Sequence, residues 1–170
     1  MTLDIRPLAD GDWPGLWSII EGVTRAGETY TYPLDLTEAA ARAMWTPAAP
    51  GRTLVAVEDG RVLGAAKVTP NQMGPGAHVA NGSFMVSPEA RGRGVARSLG
   101  EAALAFARDA GFRSMQFNAV VETNHNAVSL WQSLGFNVLT TVPGAFRHPV
   151  HGFVGLHVMH RSLEAETHGA

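Results

Sequence analysis

Between Val86 and Phe106 the chain reads VSPEARGRGVARSLGEAALAF. Gly92 and Gly94 stand two residues apart, with Arg91, Arg93 and Arg97 interleaved, between a short apolar run and a long one. Glycines this close let a backbone come near a ligand, and arginines beside them suit an anion. The first-turn amides of a helix lack intrahelical partners and carry partial positive charge. Aimed at a pyrophosphate, they form an anion site. Small residues at 94 and 96 leave room for it, and the arginines add charge-assisted bonds. The same residues also describe a tight strand-to-helix turn with solvated arginines, and the hexamer alone leaves both readings open. A Walker A loop is excluded: it needs a Lys-Ser/Thr pair after its last glycine, and the only lysine of the chain is Lys67. A dinucleotide fingerprint fits poorly, because Arg97 stands where the third glycine belongs.

The elements that must position this turn follow from periodicity. Apolar residues at Val95, Leu99, Ala102, Ala103, Phe106 and Ala110 have helical spacing, and Gly111 closes that helix. HVANGSFMV before it reads as a strand with Gly82 inside, the mark of a bulge or a close backbone approach. RTLVAVEDGRVLGAAKVTP is a hairpin turning at Asp59-Gly60, a type I′ sequence. Upstream, TLDIRPL is a strand and DWPGLWSIIEGVTRAG a helix with Asp12 as N-cap, Pro14 in its first turn and Gly27 after its end. LTEAAARAMW is a short helix capped by Thr37. Downstream, FRSMQFNAVV is a buried strand and NHNAVSLWQSLGF a helix closed by Gly135. FNVLTTV and FVGLHVMHRSL are last strands, separated by a loop rich in Pro, Gly and His, and the tail after Leu163 is expected to fray. The order is β α α β β β α β α β β, a mixed α/β domain, expected to be one domain over residues 1–170.

Composition narrows the function. A net charge of −2 gives no global pull toward nucleic acid or an anionic membrane, so any attraction for phosphate is local. The absence of cysteine removes disulfides, thiolate zinc sites and a cysteine nucleophile, and fits a reducing cytoplasm. No apolar run approaches the roughly 18 residues of a membrane span. His157 and His160, three apart on a strand, face opposite sides, and His148 and His151 lack acidic partners nearby, so no metal is expected.

On these motifs the chain resembles the GNAT superfamily of acyl-CoA-dependent N-acyltransferases. FMVSPEARGRGVARSL is similar to that family's V-x-P-x-x-R-G-x-G-[IV]-[GA] turn, and NHNAVSLWQSLGF to its second signature, N-x-x-A-x-x-L-Y-x-x-x-G-F. The resemblance covers nearly the whole chain and is weakest before Thr53 and after Val142. It implies a splayed mixed sheet flanked by about four helices, with acetyl-CoA as cosubstrate. The pyrophosphate would lie on the turn and first helical residues: Arg91, Gly92, Arg93, Gly94, Val95, Ala96 and Arg97. The strand at Phe84, Met85 and Val86 would pair with the pantetheine arm, the Met85 or Val86 amide polarising the thioester carbonyl. Asn124 would contact the arm. Trp131 replaces the family's tyrosine; an indole N–H donates a hydrogen bond but is no practical acid, so Trp131 either packs against the arm or belongs to the core.

The resemblance also implies a small-molecule amine as acceptor, attacked directly in a ternary complex, and a possible homodimer through a late strand. Glu28, on the loop after the first long helix, and Glu122, ending a strand beside the cleft, are the carboxylates placed to act as base. Asn81 is unusual within a strand and implies a polar duty toward the acceptor. Asn118 raises the same point on the neighbouring strand, beside the arm. Asn81, Asn118 and Asn124 together resemble the subgroup that acetylates proline-like cyclic amino acids. Tyr30 and Tyr32 would wall the acceptor pocket, whose loop carries no acidic run for a basic tail or polyamine. The rival readings are a non-catalytic CoA-binding module, favoured by the loss of the tyrosine, and a nucleotide-binding regulator, which lacks the acidic ribose partner.

Overall fold

The computed structural model describes residues 2–164 of the chain. Strands β1 (Asp4–Pro7), β2 (Arg52–Glu58), β3 (Arg61–Pro70), β4 (Val79–Val86), β5 (Ser114–Val121), β6 (Asn137–His148) and β7 (Gly152–Ser162) build one sheet in the order β1-β2-β3-β4-β5-β7-β6. Every neighbouring pair is antiparallel except β4 and β5. Four helices complete the fold: α1 (Trp13–Ala26), α2 (Glu38–Trp45), α3 (Val95–Asp109) and α4 (His125–Ser133). This is the element order read from periodicity.

Local chemistry accounts for the boundaries. Thr37 caps α2, its hydroxyl accepting from the Ala40 amide at 3.3 Å. Gly27 ends α1 in the left-handed conformation. Asp59 and Gly60 both have positive φ, at 48° and 75°, as a type I′ turn requires. Asp12 differs from its expected role. It stands at the start of α1, but its carboxylate takes both Arg6 guanidinium nitrogens, at 2.6 and 2.8 Å, and the Ala9 amide, leaving the helix amides uncapped. The end of the sheet differs too. The residues expected to loop out after Val142 continue β6 to His148, paired with β7 beyond an irregularity between Val142 and Phe146. Pro143 is tolerated because β6 is the outer strand, where a missing donor costs no ladder bond. The tail expected to fray lies mostly outside the described residues; Leu163 is still tied by its amide to the Arg113 carbonyl oxygen.

The two sheet faces carry different layers. Ala66, Val68, Ala80, Met115, Phe117 and Met159 meet α3 and α4 through Leu99, Ala103, Ala107, Trp131 and Leu134. Val55, Val57, Ala65 and Met85 meet α1 and α2 through Trp13, Leu16, Ile20, Ala41 and Trp45. Strand alternation then places Lys67, Thr69, Asn81 and Ser83 on the α1/α2 face.

Candidate active site

β4 and β5 pair only at Val79–Ser114, Ala80–Met115 and Asn81–Gln116, then part. Where they part, an aromatic cluster fills the α3/α4 face. Phe117 stacks on Phe136 at 4.3 Å between centroids and meets Phe84 edge-on at 5.7 Å, while Trp131 closes on Phe84 at 4.6 Å and on Phe117 at 4.9 Å. Gly82 lies where these rings converge: a Cβ there would stand 2.8 Å from Phe117 Cε1 and 2.9 Å from Phe84 Cε2. The glycine inside the strand is therefore a close-approach glycine. Trp131, 6% exposed, is part of this packing. Of the two readings of this indole, along the cofactor arm or in the core, the packing favours the core.

Which main-chain groups face the opening follows from hydrogen bonds at both ends of β4. The Val79 carbonyl oxygen accepts from Asn71, and Ser87 N–H donates to Leu63, both on the β3 side; the His78 carbonyl oxygen accepts from Arg113 on the β5 side. Alternation turns the peptide groups of Gly82, Phe84 and Val86 toward the opening and those of Ser83 and Met85 into the β3 ladder. Of the two amides considered for polarising a carbonyl, Val86 is presented to the gap. Met85 is not, because its N–H is directed to β3. The Phe84 peptide is engaged twice by Tyr30, whose hydroxyl donates to its carbonyl oxygen and accepts from its N–H, each at 2.7 Å. Burial pushes the Tyr30 and Tyr32 phenols above their ordinary range, so both are neutral donors. Their rings lie 5.1 Å apart.

At the C-terminal end of β4 the chain turns through Gly92 (φ 74°) and Gly94 (φ 79°) into α3. Gly94 is the N-cap of α3, and no side chain caps that end, so its first amides remain free for an anion. The three arginines do not act alike. Arg93 reaches back to Glu58 at 2.5 Å, and Arg97 donates to the Ser133 hydroxyl at 2.8 Å. Arg91 has neither an ion pair nor a side-chain hydrogen bond among the described residues. Of the three arginines expected to add charge-assisted bonds, Arg93 and Arg97 brace the turn onto β2 and α4, and Arg91 is uncommitted among the described residues.

The other expected residues separate into two sets. Asn124 is the N-cap of α4, its Oδ1 accepting from the Ala127 amide at 3.3 Å. Glu122 Oε1 accepts the Gly155 amide of β7 at 2.5 Å, which holds its carboxylate to the neighbouring strand. Asn118, expected beside the arm, joins an amide chain, accepting from Gln116 Nε2 at 2.9 Å and donating to Asn71 Oδ1 at 2.7 Å. Asn81 is the register partner of Gln116 on the same face, half-buried, with no side-chain hydrogen bond among the described residues. Glu28 is exposed on the loop after α1. Asn71, Gln116, Ser83 and Lys67 were not singled out from the sequence. Lys67 alone left a signal, a charge at an inward position of the apolar strand RVLGAAKVTP. Among the described residues no group of histidines and carboxylates is arranged to hold a metal ion, and no helix is long and apolar enough to cross a membrane.

Residues 16–136 match the sequence model of the acetyltransferase (GNAT) family. The chain is 39% identical over 98 residues to the N-acetyltransferase aca1 of Schizosaccharomyces pombe, an alignment covering 57% of this chain and 47% of that protein. It thus spans about half the length of that curated relative. A solved GCN5-related N-acetyltransferase from Kribbella flavida is 56% identical, with a TM-score of 0.91 over 94% of this chain and 97% of the other. A phosphinothricin acetyltransferase from Sinorhizobium meliloti, solved in complex with AcCoA, shares the fold at 21% identity, with a TM-score of 0.88 over 100% of this chain and 93% of the other.

Proposed function

Because the chain belongs to the acetyltransferase (GNAT) family, we propose that it moves the acetyl group of acetyl-CoA onto the amine of a small molecule, by direct attack in a ternary complex. The observation that carries this reading is the parted β4/β5 pair leading into an uncapped helix end with two left-handed glycines. A strand edge that offers peptide groups to the gap suits the amides of a pantetheine arm, and the free amides at Gly94, Val95 and Ala96, with Arg91, suit the pyrophosphate. The cosubstrate supplies an activated acyl carbon, and the chain orients what attacks it. The Val86 amide stabilises the oxygen on which charge develops. Asn81 and the Gln116–Asn118–Asn71 chain hold the acceptor on the α1/α2 face. Glu28, whose carboxylate makes no hydrogen bond among the described residues, takes the ammonium proton, directly or through water. The new N–C bond forms as the C–S bond breaks, and the thiolate takes its proton from solvent, since the indole of Trp131 is no practical acid.

Exposed apolar side chains on the outer hairpin, Leu139, Val142 and Phe153, support a second copy pairing there, which sedimentation would measure. The first experiment on the function is calorimetric titration with acetyl-CoA, with ATP and NAD as controls. A micromolar Kd, about −8 kcal/mol, with silent controls and thiol release in an amine screen supports the reading. Silence with acetyl-CoA overturns it.

A further inference from the structure

We propose that Lys67 is the anion-binding residue of the acceptor site and that the acceptor is an amino acid or analogue carrying a carboxylate beside its amine. The proposal rests on the acetyl-transfer reading and adds the chemical class of the acceptor.

Lys67 is the one lysine of the chain. It lies in the middle of β3, between Thr53 of β2 and Ser83 of β4 in register, on the α1/α2 face. Its Nζ stands 5.3 Å from the centre of the Trp45 ring. Burial holds its pKa below the ordinary lysine value, and no neighbouring carboxylate opposes that shift. Among the described residues it forms no ion pair. A half-buried ammonium with an aromatic ring beside it and no carboxylate partner is incompletely compensated, because charges withdrawn from water are as a rule paired. The Trp45 ring beneath it is fully buried and supplies no negative charge. What the ammonium lacks is an anionic oxygen, and that sets the chemistry of the missing partner.

The position is right for an acceptor. Ser83, opposite Lys67, precedes Phe84, whose peptide faces the opening and carries the Tyr30 hydroxyl. Cross-strand neighbours have Cβ atoms about 4.5–5.5 Å apart, and one residue along a strand adds about 3.4 Å. Lys67 therefore sits within one small molecule's reach of the gap. An α-amino acid spans that distance, with its carboxylate on Lys67 and its amine toward Asn81 and the opening. A simple amine leaves Lys67 unpaired and binds with one charge-assisted bond fewer.

A single lysine makes the test direct. Protein labelled with ¹³Cε-lysine gives one side-chain signal of this type, to be followed during titration with L-α-amino acids, proline analogues among them, and with the α-carboxamide of each. The same pairs are assayed for CoA thiol release with wild type, Lys67→Met and Lys67→Arg. The acids are expected to move the Lys67 signal while the carboxamides do not. The acid-over-carboxamide preference in kcat/KM is expected to fall by about 10- to 100-fold in Lys67→Met, as for a lost hydrogen bond to a charged group, and to be partly restored in Lys67→Arg. A signal unmoved by every acid, or a preference that survives Lys67→Met, overturns the proposal. If no amine of either series releases thiol, acetyl transfer to these amines falls. The titration of the folded wild type still decides the anion site by itself.

Discussion

The Tyr30 hydroxyl and the Phe84 peptide form a closed pair: one phenol oxygen, 2.7 Å from both the N–H and the carbonyl oxygen of a residue 54 positions away. The phenol stands where a partner strand would stand, on the edge proposed to receive the pantetheine arm. Tyr30→Phe removes that competitor. Acetyl-CoA is expected to bind the variant several-fold more tightly by calorimetry. The ligand-free protein is expected to lose about 1–2 kcal/mol, the net worth of two hydrogen bonds. Weaker acetyl-CoA binding by the variant would mean that the phenol belongs to the bound state.

Gly94 tests the anion site. A Cβ there meets no atom within 4 Å, so any penalty in the free protein comes from φ 79° alone, about 1–2 kcal/mol for a non-glycine residue. With phosphate against the turn the added bulk has no room. Gly94→Val is expected to raise the acetyl-CoA Kd by about tenfold or more, equivalent to 1.4 kcal/mol or above, with the folded spectrum kept. Unchanged affinity would move the pyrophosphate elsewhere.

Gly82 tests the aromatic cluster. A methyl at this position overlaps the Phe117 and Phe84 rings, and Phe117 is itself held between Phe136 and Trp131. Gly82→Ala should cost about 1–3 kcal/mol, as for overpacking of a filled core, read as a lower midpoint in urea at unchanged slope.

The two candidate bases are separable by isosteric change. Glu122→Gln keeps an oxygen for the Gly155 amide and should leave kcat near wild type. Glu28→Gln removes the proposed proton acceptor and should lower kcat by about 10²–10⁴ with little change in the melting temperature. The reverse pattern would give the base role to Glu122.

Lys67 carries a stability cost with a defined pH window. Its folded-state pKa lies below the ordinary 10.5, so burying the charged form opposes folding. The cost is fully present below the folded pKa, shrinks as pH rises through it, and is gone above 10.5. Lys67→Met should therefore raise the melting temperature at neutral pH, with the gain fading toward pH 10.5. A constant gain across that range would point to packing rather than charge.

The element order and the glycine turn were legible in the sequence because both depend on near neighbours. Helical spacing from Val95 to Ala110 and the left-handed needs of Gly92 and Gly94 are settled within a few residues. What was not legible depends on distant partners. Glu58 claims Arg93 from 35 residues away, and the Tyr30 bond spans 54. From the sequence Trp131 reads equally as an arm contact or a core residue, and the convergence of Phe84, Phe117 and Phe136 on it favours the core. Pro143 signals a break, yet at an outer strand it interrupts nothing. Asn71 becomes notable only when β3 and β5 bring it to Asn118.

The single lysine has a chemical consequence for a chain that handles an acetyl thioester. Twelve of its thirteen basic side chains are arginines, whose guanidinium holds its proton throughout the physiological range and does not act as a nucleophile. Apart from the amino terminus, the protein has one side-chain amine, and that one is half-buried in the sheet and proposed to hold the acceptor's carboxylate. A basic surface made of arginine offers an acetyl thioester no side-chain amine to attack it.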